Sequence, residues 1–312
     1  VNSVAFVFPG QGSQSPGMLS DFHERDSVFR ETLVEASDAL GEDLWSMIES
    51  GGSDVLSLTA NTQPVLLACS VAIWRSYCSR SEYRPSLMAG HSLGEFSALT
   101  AAGVLSLADA VKLVRRRGEL MQQAVPAGVG AMAAVIGLDD APIEEICREV
   151  SAETGRVVEA VNFNAPGQVV IAGHKEGVAA AEAPLKAAGA KRLMPLPVSA
   201  PFHTSLMRPA AEALGESLAN IAMHAPQIPV VHNVTADTEL NPETIRALLV
   251  EQLYSPVRWT QCVQAMVGKN AERLVECGPG KVLSGLAKRI DKALVTVSFS
   301  ELASLETYIQ EA

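Results

Sequence analysis

One pentapeptide constrains this chain more than any other feature. Residues 90–94 read Gly90-His91-Ser92-Leu93-Gly94, a G-x-S-x-G element. The apolar run Ser86-Leu87-Met88-Ala89 before it reads as a buried strand, and Glu95–Ala102 after it reads as a helix ending near Gly103. A serine on a sharp strand-to-helix turn is exposed at the end of a sheet, with its oxygen near the helix N-terminus. The flanking glycines allow a tight turn and, on this reading, leave room for a substrate. Ser92 is therefore a candidate nucleophile. The pentapeptide alone is weak in a chain with 23 glycines, so its strand and helix context carries the argument.

The remaining pattern fits an α/β layer. Val4–Phe8 reads as a buried strand entering a two-glycine loop, Pro9-Gly10-Gln11-Gly12-Ser13-Gln14. Helical patterns follow at 27–40, 63–79 and 107–123, and the alternation of strands and helices predicts a parallel sheet. The texture changes after Pro126. A linker at 127–130 leads to a strand (131–136), a helix (142–153) and two strands (157–162, 168–172) joined by Asn164-Ala165-Pro166-Gly167. A helix (176–188) and a strand (191–196) complete a β-α-β-β-α-β order, the ferredoxin-like signature. The larger pattern then resumes, with helices at 205–222, 244–254 and 260–269 and strands at 230–234 and 273–277. A last helix runs from Gly278-Pro279-Gly280 to Ile290, and Val295–Val297 reads as an edge strand. The expected fold class is α/β: a large α/β-hydrolase-like domain with a parallel sheet (1–126 and 199–312) and an inserted small ferredoxin-like domain (127–198).

Composition narrows the function classes. The net charge is −11, from 24 Lys+Arg against 35 Asp+Glu, which argues against nucleic-acid binding. The longest apolar stretch, Pro64–Trp74, is too short to span a bilayer. No basic segment precedes an apolar one at Val1-Asn2-Ser3-Val4, so a cytoplasmic location is expected. Cys69, Cys78, Cys147, Cys262 and Cys277 lack C-x-x-C spacing and the histidines lack H-x-x-x-H spacing, so no metal site is expected. Arg115-Arg116-Arg117, Lys191-Arg192 and Lys288-Arg289 are candidate patches for an acidic partner, although each taken singly fits a solvated surface.

A serine hydroxyl needs a base, and histidine is the usual one. His91 should diverge from Ser92 on so tight a turn. His23 and His224 sit in polar, helix-like contexts, and His174 starts a helix. His203 and His232 remain, and the residues alone leave the choice open. His203 lies in Ser199-Ala200-Pro201-Phe202-His203, where the small domain returns to the large one, and clefts form at such seams. The developing oxyanion needs N–H donors: Leu93 by the geometry of the elbow, and a second from the Gly10-Gln11-Gly12 loop at the same sheet edge. Arg117 has apolar neighbours in Leu113, Val114, Leu120 and Met121, and an arginine on a partly buried helix face holds a carboxylate in a two-pronged contact. A hydrolase triad would add an acid. Asp237, Glu239 and Glu243 lie downstream, but none has a strand-end setting that singles it out.

Several separated motifs occur together and in order: Gly10–Gln14, Gly90–Glu95, Arg117-Gly118 and Phe202-His203. Asn61-Thr62-Gln63-Pro64, Asn162-Phe163-Asn164, Gln252-Leu253-Tyr254 and Gly278-Pro279-Gly280-Lys281 extend the pattern. Over essentially its whole length the chain resembles the bacterial malonyl-CoA:acyl carrier protein transacylases. The resemblance implies a ping-pong acyl transfer with Ser92 as nucleophile and His203 as base. It implies that the backbone carbonyl of Gln252 orients His203, with no acidic third member. It assigns the oxyanion hole to the backbone amides of Gln11 and Leu93, and the malonyl carboxylate to Arg117. It draws a pocket from Gln63, His91, Met121, Asn162 and Phe202, with Phe202 crowding a methylmalonyl branch. Lys191, Arg192, Lys288 and Arg289 become a carrier-protein patch. Malonyl-CoA and acyl carrier protein are the implied partners, and nucleic acid and membrane are not. No cofactor is implied, because the CoA thioester and the phosphopantetheine arm act as substrates.

Overall fold

Two sheets divide the strands, in the mixed α/β arrangement expected from the sequence. A computed structural model describes residues 3–311; Val1 and Asn2, where the N-terminal reading begins, and Ala312 lie outside the described residues. The strands are β1 (Ser3–Phe8), β2 (Leu87–Gly90), β3 (Gly130–Ile136), β4 (Val158–Ala165), β5 (Gln168–His174), β6 (Arg192–Pro195), β7 (Val230–Val231), β8 (Thr238–Glu239), β9 (Ala271–Glu276) and β10 (Val295–Ser298). The larger sheet runs β10-β9-β1-β2-β7-β8, parallel except for the antiparallel β7–β8 pair. The smaller sheet is antiparallel, β4-β5-β3-β6, and lies under the helices Asp140–Thr154 and Lys175–Ala187. Its β4–β5 hairpin turns through Pro166 and Gly167, and Gly167 has φ 74°, the left-handed conformation a type II turn requires.

Burial accounts for the strand sequences. β1 and β2 are central, and Ala5–Phe8 and Leu87–Gly90 are buried throughout. Strands covered on both faces read as continuous apolar runs, as these do. Phe6 packs edge-on against Trp74 at 5.6 Å and Phe299 at 5.8 Å, tying the sheet to the helix Thr59–Arg80. β6 is a sheet edge and is largely exposed.

Two local devices prepare the site. Pro64 stands inside the helix Thr59–Arg80, and its ring removes the N–H that would bond the Ala60 carbonyl. Arg115 fills that acceptor, with Nη1 at 2.7 Å. The helix Leu107–Gln123 lies against this turn. A Cβ on Gly118 would sit 2.7 Å from the Thr59 carbonyl oxygen, so only glycine permits the approach. The close crossing brings Arg117 beside Gln63.

Some expectations are corrected. The strand expected at 230–234 ends at Val231, because the next two residues turn away to bond Glu95. The helix expected to reach Tyr254 ends at Glu251, and Gln252–Tyr254 form a 3-10 turn. His224 lies outside any helix. The short helices Ser20–Arg25, Leu44–Glu49 and Gly52–Ser57, the strand β8 and the C-terminal helix Leu302–Glu311 carry no clear signal in the sequence pattern. Among the described residues no helix is long and apolar enough to cross a membrane.

Candidate active site

The site is built where parallel strands end. Gln11 follows β1, Ser92 follows β2 and Asn233 follows β7, all at C-terminal ends in the same sheet. Ser92 occupies a strained turn, φ 52° and ψ −110°, immediately before the helix Leu93–Ala101. A Cβ on Gly94 would sit 2.0 Å from the carbonyl oxygen of Phe8. This revises the expectation that the flanking glycines make room for substrate. Here Gly94 makes room for the backbone of β1, which pins the elbow to the central strand. Asn233 locks the elbow from the other side: Oδ1 accepts from the Ser92 amide at 2.8 Å and Nδ2 donates to the Gly90 carbonyl at 2.7 Å.

Of the two candidate bases, His203 is the one that meets Ser92. Its Nε2 lies 2.8 Å from Ser92 Oγ, and its Nδ1 lies 2.8 Å from the backbone oxygen of Gln252. A carbonyl can only accept, so Nδ1 carries the proton and Nε2 is free to accept one from the serine. His203 also has positive φ, 63°, in a tight turn closed by Thr204 donating to the Pro201 carbonyl at 2.7 Å. Such conformations cost roughly 1–3 kcal/mol each and persist only where packing over-determines them. The segment Ala200–Thr204 is buried, and Gly130 at the entry to the small sheet meets Pro201 at the exit. Burial, and next the Arg117 guanidinium, push the His203 imidazole down to about 3, so it is neutral at rest. His232 is placed elsewhere: it is buried, and its Nδ1 donates to Glu95.

Arg117 is 1% exposed and forms no ion pair among the described residues. Nη1 donates to Gln63 Oε1 at 2.8 Å, and Nη2 donates to Gln252 Oε1 at 2.9 Å and to Ser92 Oγ at 3.1 Å. Nε has no partner. Phe96 lies beneath it, ring centroid 5.0 Å from Cζ. Burial pushes the guanidinium down to about 9, opposed by the Glu95 carboxylate. A buried guanidinium with a free N–H beside the Ser92 hydroxyl is chemically suited to receive an anion. Its neighbours divide: Arg115 is held by Glu42 and Asn61, and Arg116 faces Glu119 at the surface, so the arginine run is not one patch.

The other sequence candidates fall at graded distances. Leu93 opens a helix, so its amide is one of those a helix leaves without an intrahelical acceptor. Gln11 lies in the turn beyond β1, with Nε2 donating to Thr59 Oγ1 at 3.3 Å. Met121 is buried with Sδ 3.7 Å from Gln63 Nε2, and Phe202 is buried next to His203. His91 turns away from Ser92, as expected, and its Nε2 meets Asn164 Oδ1 at 2.7 Å. A cleft of about 280 Å³ joins the two sheets here, lined by Gln11, His91, Asn162, Asn164, Leu196 and Leu283 among others. Asn162 Oδ1 is buried without a partner. Lys191, Arg192, Lys288 and Arg289 are exposed. Arg289 reaches Gln168 on the cleft rim at 3.0 Å, and Gln168 and Arg192 both pair with Ile136. Arg289 and Arg192 are therefore separated by the β3 and β5 positions Ile136 and Gln168, and of the four only Arg289 hydrogen-bonds through its side chain to a residue of the cleft lining.

Three residues here escaped the sequence reading: Glu95, Asn233 and His232 as a partner of Glu95. Glu95 adjoins the pentapeptide and so stood in an informative place, whereas Asn233 fell inside the strand expected at 230–234 and follows a strand end only in the structure. Among the described residues no group of three or more His, Cys, Asp or Glu is arranged to hold a metal.

Residues 5–299 match the acyl transferase domain family. The chain belongs to that family. Relatives agree over full length. The malonyl CoA-acyl carrier protein transacylase of Escherichia coli (strain K12) is 53% identical over 310 residues, covering 99% of this chain and 100% of that protein. That of Salmonella typhimurium is 54% identical over 311 residues, covering 100% of each. Among solved structures, an acyl carrier protein S-malonyltransferase from Vibrio cholerae superposes with a TM-score of 0.96 at 53% identity, covering 98% of this chain and 99% of that one. A malonyl-transacylase in complex with a type II PKS acyl-carrier protein superposes with a TM-score of 0.97 at 51% identity, covering 99% and 100%. For an acyltransferase, a serine hydroxyl within hydrogen-bond reach of a neutral histidine is what nucleophilic catalysis requires.

Proposed function

We propose that this acyltransferase moves a malonyl group from malonyl-CoA to the phosphopantetheine thiol of an acyl carrier protein, supplying fatty acid elongation. The observation that carries this reading is Arg117, a buried guanidinium with no ion-pair contact among the described residues, whose Nη2 touches the Ser92 oxygen. A malonyl group attached through its thioester carbonyl presents a free carboxylate a short distance from the reacting carbon. Arg117 offers it a charge-assisted contact in a setting where Gln63, Met121 and Phe202 are all buried.

The steps follow from the dyad. Ser92 Oγ attacks the thioester carbon while its proton passes to His203 Nε2. The Gln11 and Leu93 amides hold the oxyanion, and losing one such donor costs roughly 3–4 kcal/mol. The C–S bond breaks, CoA leaves as the thiol with the proton from His203, and malonate remains as an ester on Ser92. The phosphopantetheine thiol then gives its proton to His203, its sulfur attacks the ester, and Ser92 departs reprotonated. The Gln252 carbonyl serves where a hydrolase places a carboxylate, holding the imidazole tautomer without adding charge.

The cleft between the sheets, with His91 and Asn162 on its wall, suits the pantetheine arm of both substrates, with 127–198 acting as an inserted domain over 1–126 and 199–312. Lys191, Arg192, Lys288 and Arg289, all exposed, suit an acidic carrier protein. The chemistry asks for no metal and no cofactor. The free cysteines, four of the five buried, fit a reducing, cytoplasmic setting. Mixing the enzyme with malonyl-CoA and mapping the adduct tests the proposal. A malonyl ester on Ser92 that waits for the carrier protein is expected. Steady release of free malonate without an acyl-enzyme would overturn it.

A further inference from the structure

One buried carboxylate near the dyad has no part in the steps above. Glu95 is 1% exposed and lies in the first turn of the helix Leu93–Ala101, under the elbow. Its Oε1 accepts from His232 Nδ1. Its Oε2 accepts from the Asn233 amide at 3.3 Å and from Gln252 Nε2 at 2.7 Å. Glu95 is not in ion-pair contact with Arg117.

Gln252 links these parts. Its Nε2 also donates to the Ser92 carbonyl at 3.0 Å, and its Oε1 accepts from Arg117 Nη2 at 2.9 Å. An amide has two ends of opposite character, and a cation needs the oxygen end. A carboxylate can only accept, so Glu95 draws the NH2 end of Gln252 toward itself. The oxygen end is thereby turned to Arg117. If the amide were reversed, two donors would face each other at Arg117 and two acceptors at Glu95.

We propose that Glu95 is the positioning residue for carboxylate recognition: by fixing the Gln252 amide it sets Arg117 where a carboxylated acyl group can reach it. Glu95 touches neither substrate nor the reacting atoms. Its negative charge also favours the protonated guanidinium of Arg117 in an otherwise desolvated pocket. The inference rests on the proposed role of Arg117 as malonyl anchor.

The test compares malonyl-CoA and acetyl-CoA as donors to the holo carrier protein, with Glu95→Gln, Gln252→Leu and the double variant. Gln252→Leu keeps the backbone carbonyl that orients His203. Each single variant should lower malonyl kcat/KM roughly 10- to 100-fold, mainly through KM, the scale of a lost charge-assisted contact. Acetyl transfer should fall less than malonyl transfer, so the malonyl-to-acetyl ratio of kcat/KM should drop in each variant. The double variant should be little worse than either single one, because both act on one element. Equal losses with both donors, or losses that multiply in the double variant, would overturn the proposal. Should Glu95→Gln fail to fold, Gln252→Leu alone decides: equal loss of both donors would refute the amide's role. Arg117→Ala separates the two levels. If it spares malonyl selectivity, the anchor reading itself fails; if it abolishes selectivity while Glu95→Gln does not, only the role of Glu95 fails.

Discussion

Nη2 of Arg117 lies 3.1 Å from Oγ of Ser92. In the proposed mechanism the group that reads the substrate's charge thus touches the group that attacks it. Before substrate binds, this contact also places a positive charge beside the base, and it lowers the proton affinity of His203 after the larger effect of burial.

A pH profile follows from that arrangement. His203 must be neutral to accept the serine proton, and its pKa is pushed down to about 3. Malonyl kcat/KM should therefore stay nearly flat from pH 8 down to pH 5. A histidine at its ordinary value of about 6.5 would lose about 30-fold over the same range. Stability carries the opposite signature. Between pH 6.5 and about 3 the unfolded chain binds a proton that folded His203 does not, so stability is lost as pH falls through that window. Urea unfolding at pH 7 and pH 5 should show this slope, and His203→Gln should flatten it. A slope unchanged by the substitution would contradict the account.

Gly94→Ala should damage folding as well as chemistry. Its Cβ would fall 2.0 Å from the Phe8 carbonyl oxygen, a backbone atom of the central strand that cannot swing aside. Overpacking of this kind costs roughly 1–3 kcal/mol or more. A lowered urea midpoint together with lost acyl-enzyme formation is expected. A variant as stable as the parent would mean that the elbow is not pinned as described.

How much of this was legible beforehand differs between elements. Ser92 and Arg117 stood in patterns whose physics is local: a strand–turn–helix, and a cation among apolar neighbours. The ferredoxin-like order was legible because its hairpin turn, Pro166-Gly167, follows local turn chemistry. The choice between His203 and His232 was not legible from the residues. Both are buried, and only the long-range meeting with Ser92, across 111 positions, separates them. Glu95 and Asn233 were missed for the same reason, since their partners come from other parts of the chain. The short helices and Leu302–Glu311 were missed because short or terminal amphipathic runs carry little periodic signal.

Salt should weaken the carrier-protein step more than the CoA step. Lys191, Arg192, Lys288 and Arg289 are exposed, and such charges are screened over about 8–10 Å at moderate ionic strength. The KM for the carrier protein should rise with salt, and Lys191→Glu with Arg289→Glu should remove most of that dependence. A salt-independent KM would exclude this surface as the docking patch.

The central claim is that Arg117 selects the acyl group by its carboxylate. The most direct measurement is the ratio of malonyl to acetyl kcat/KM in Arg117→Ala, read by rapid-quench formation of the Ser92 ester. Removing one partner of a buried charge contact costs roughly 3–5 kcal/mol. Malonyl loading should therefore fall by about two to four orders of magnitude, while acetyl loading is retained or increases. A parallel fall of both donors, leaving the ratio at its parent value, would contradict the claim.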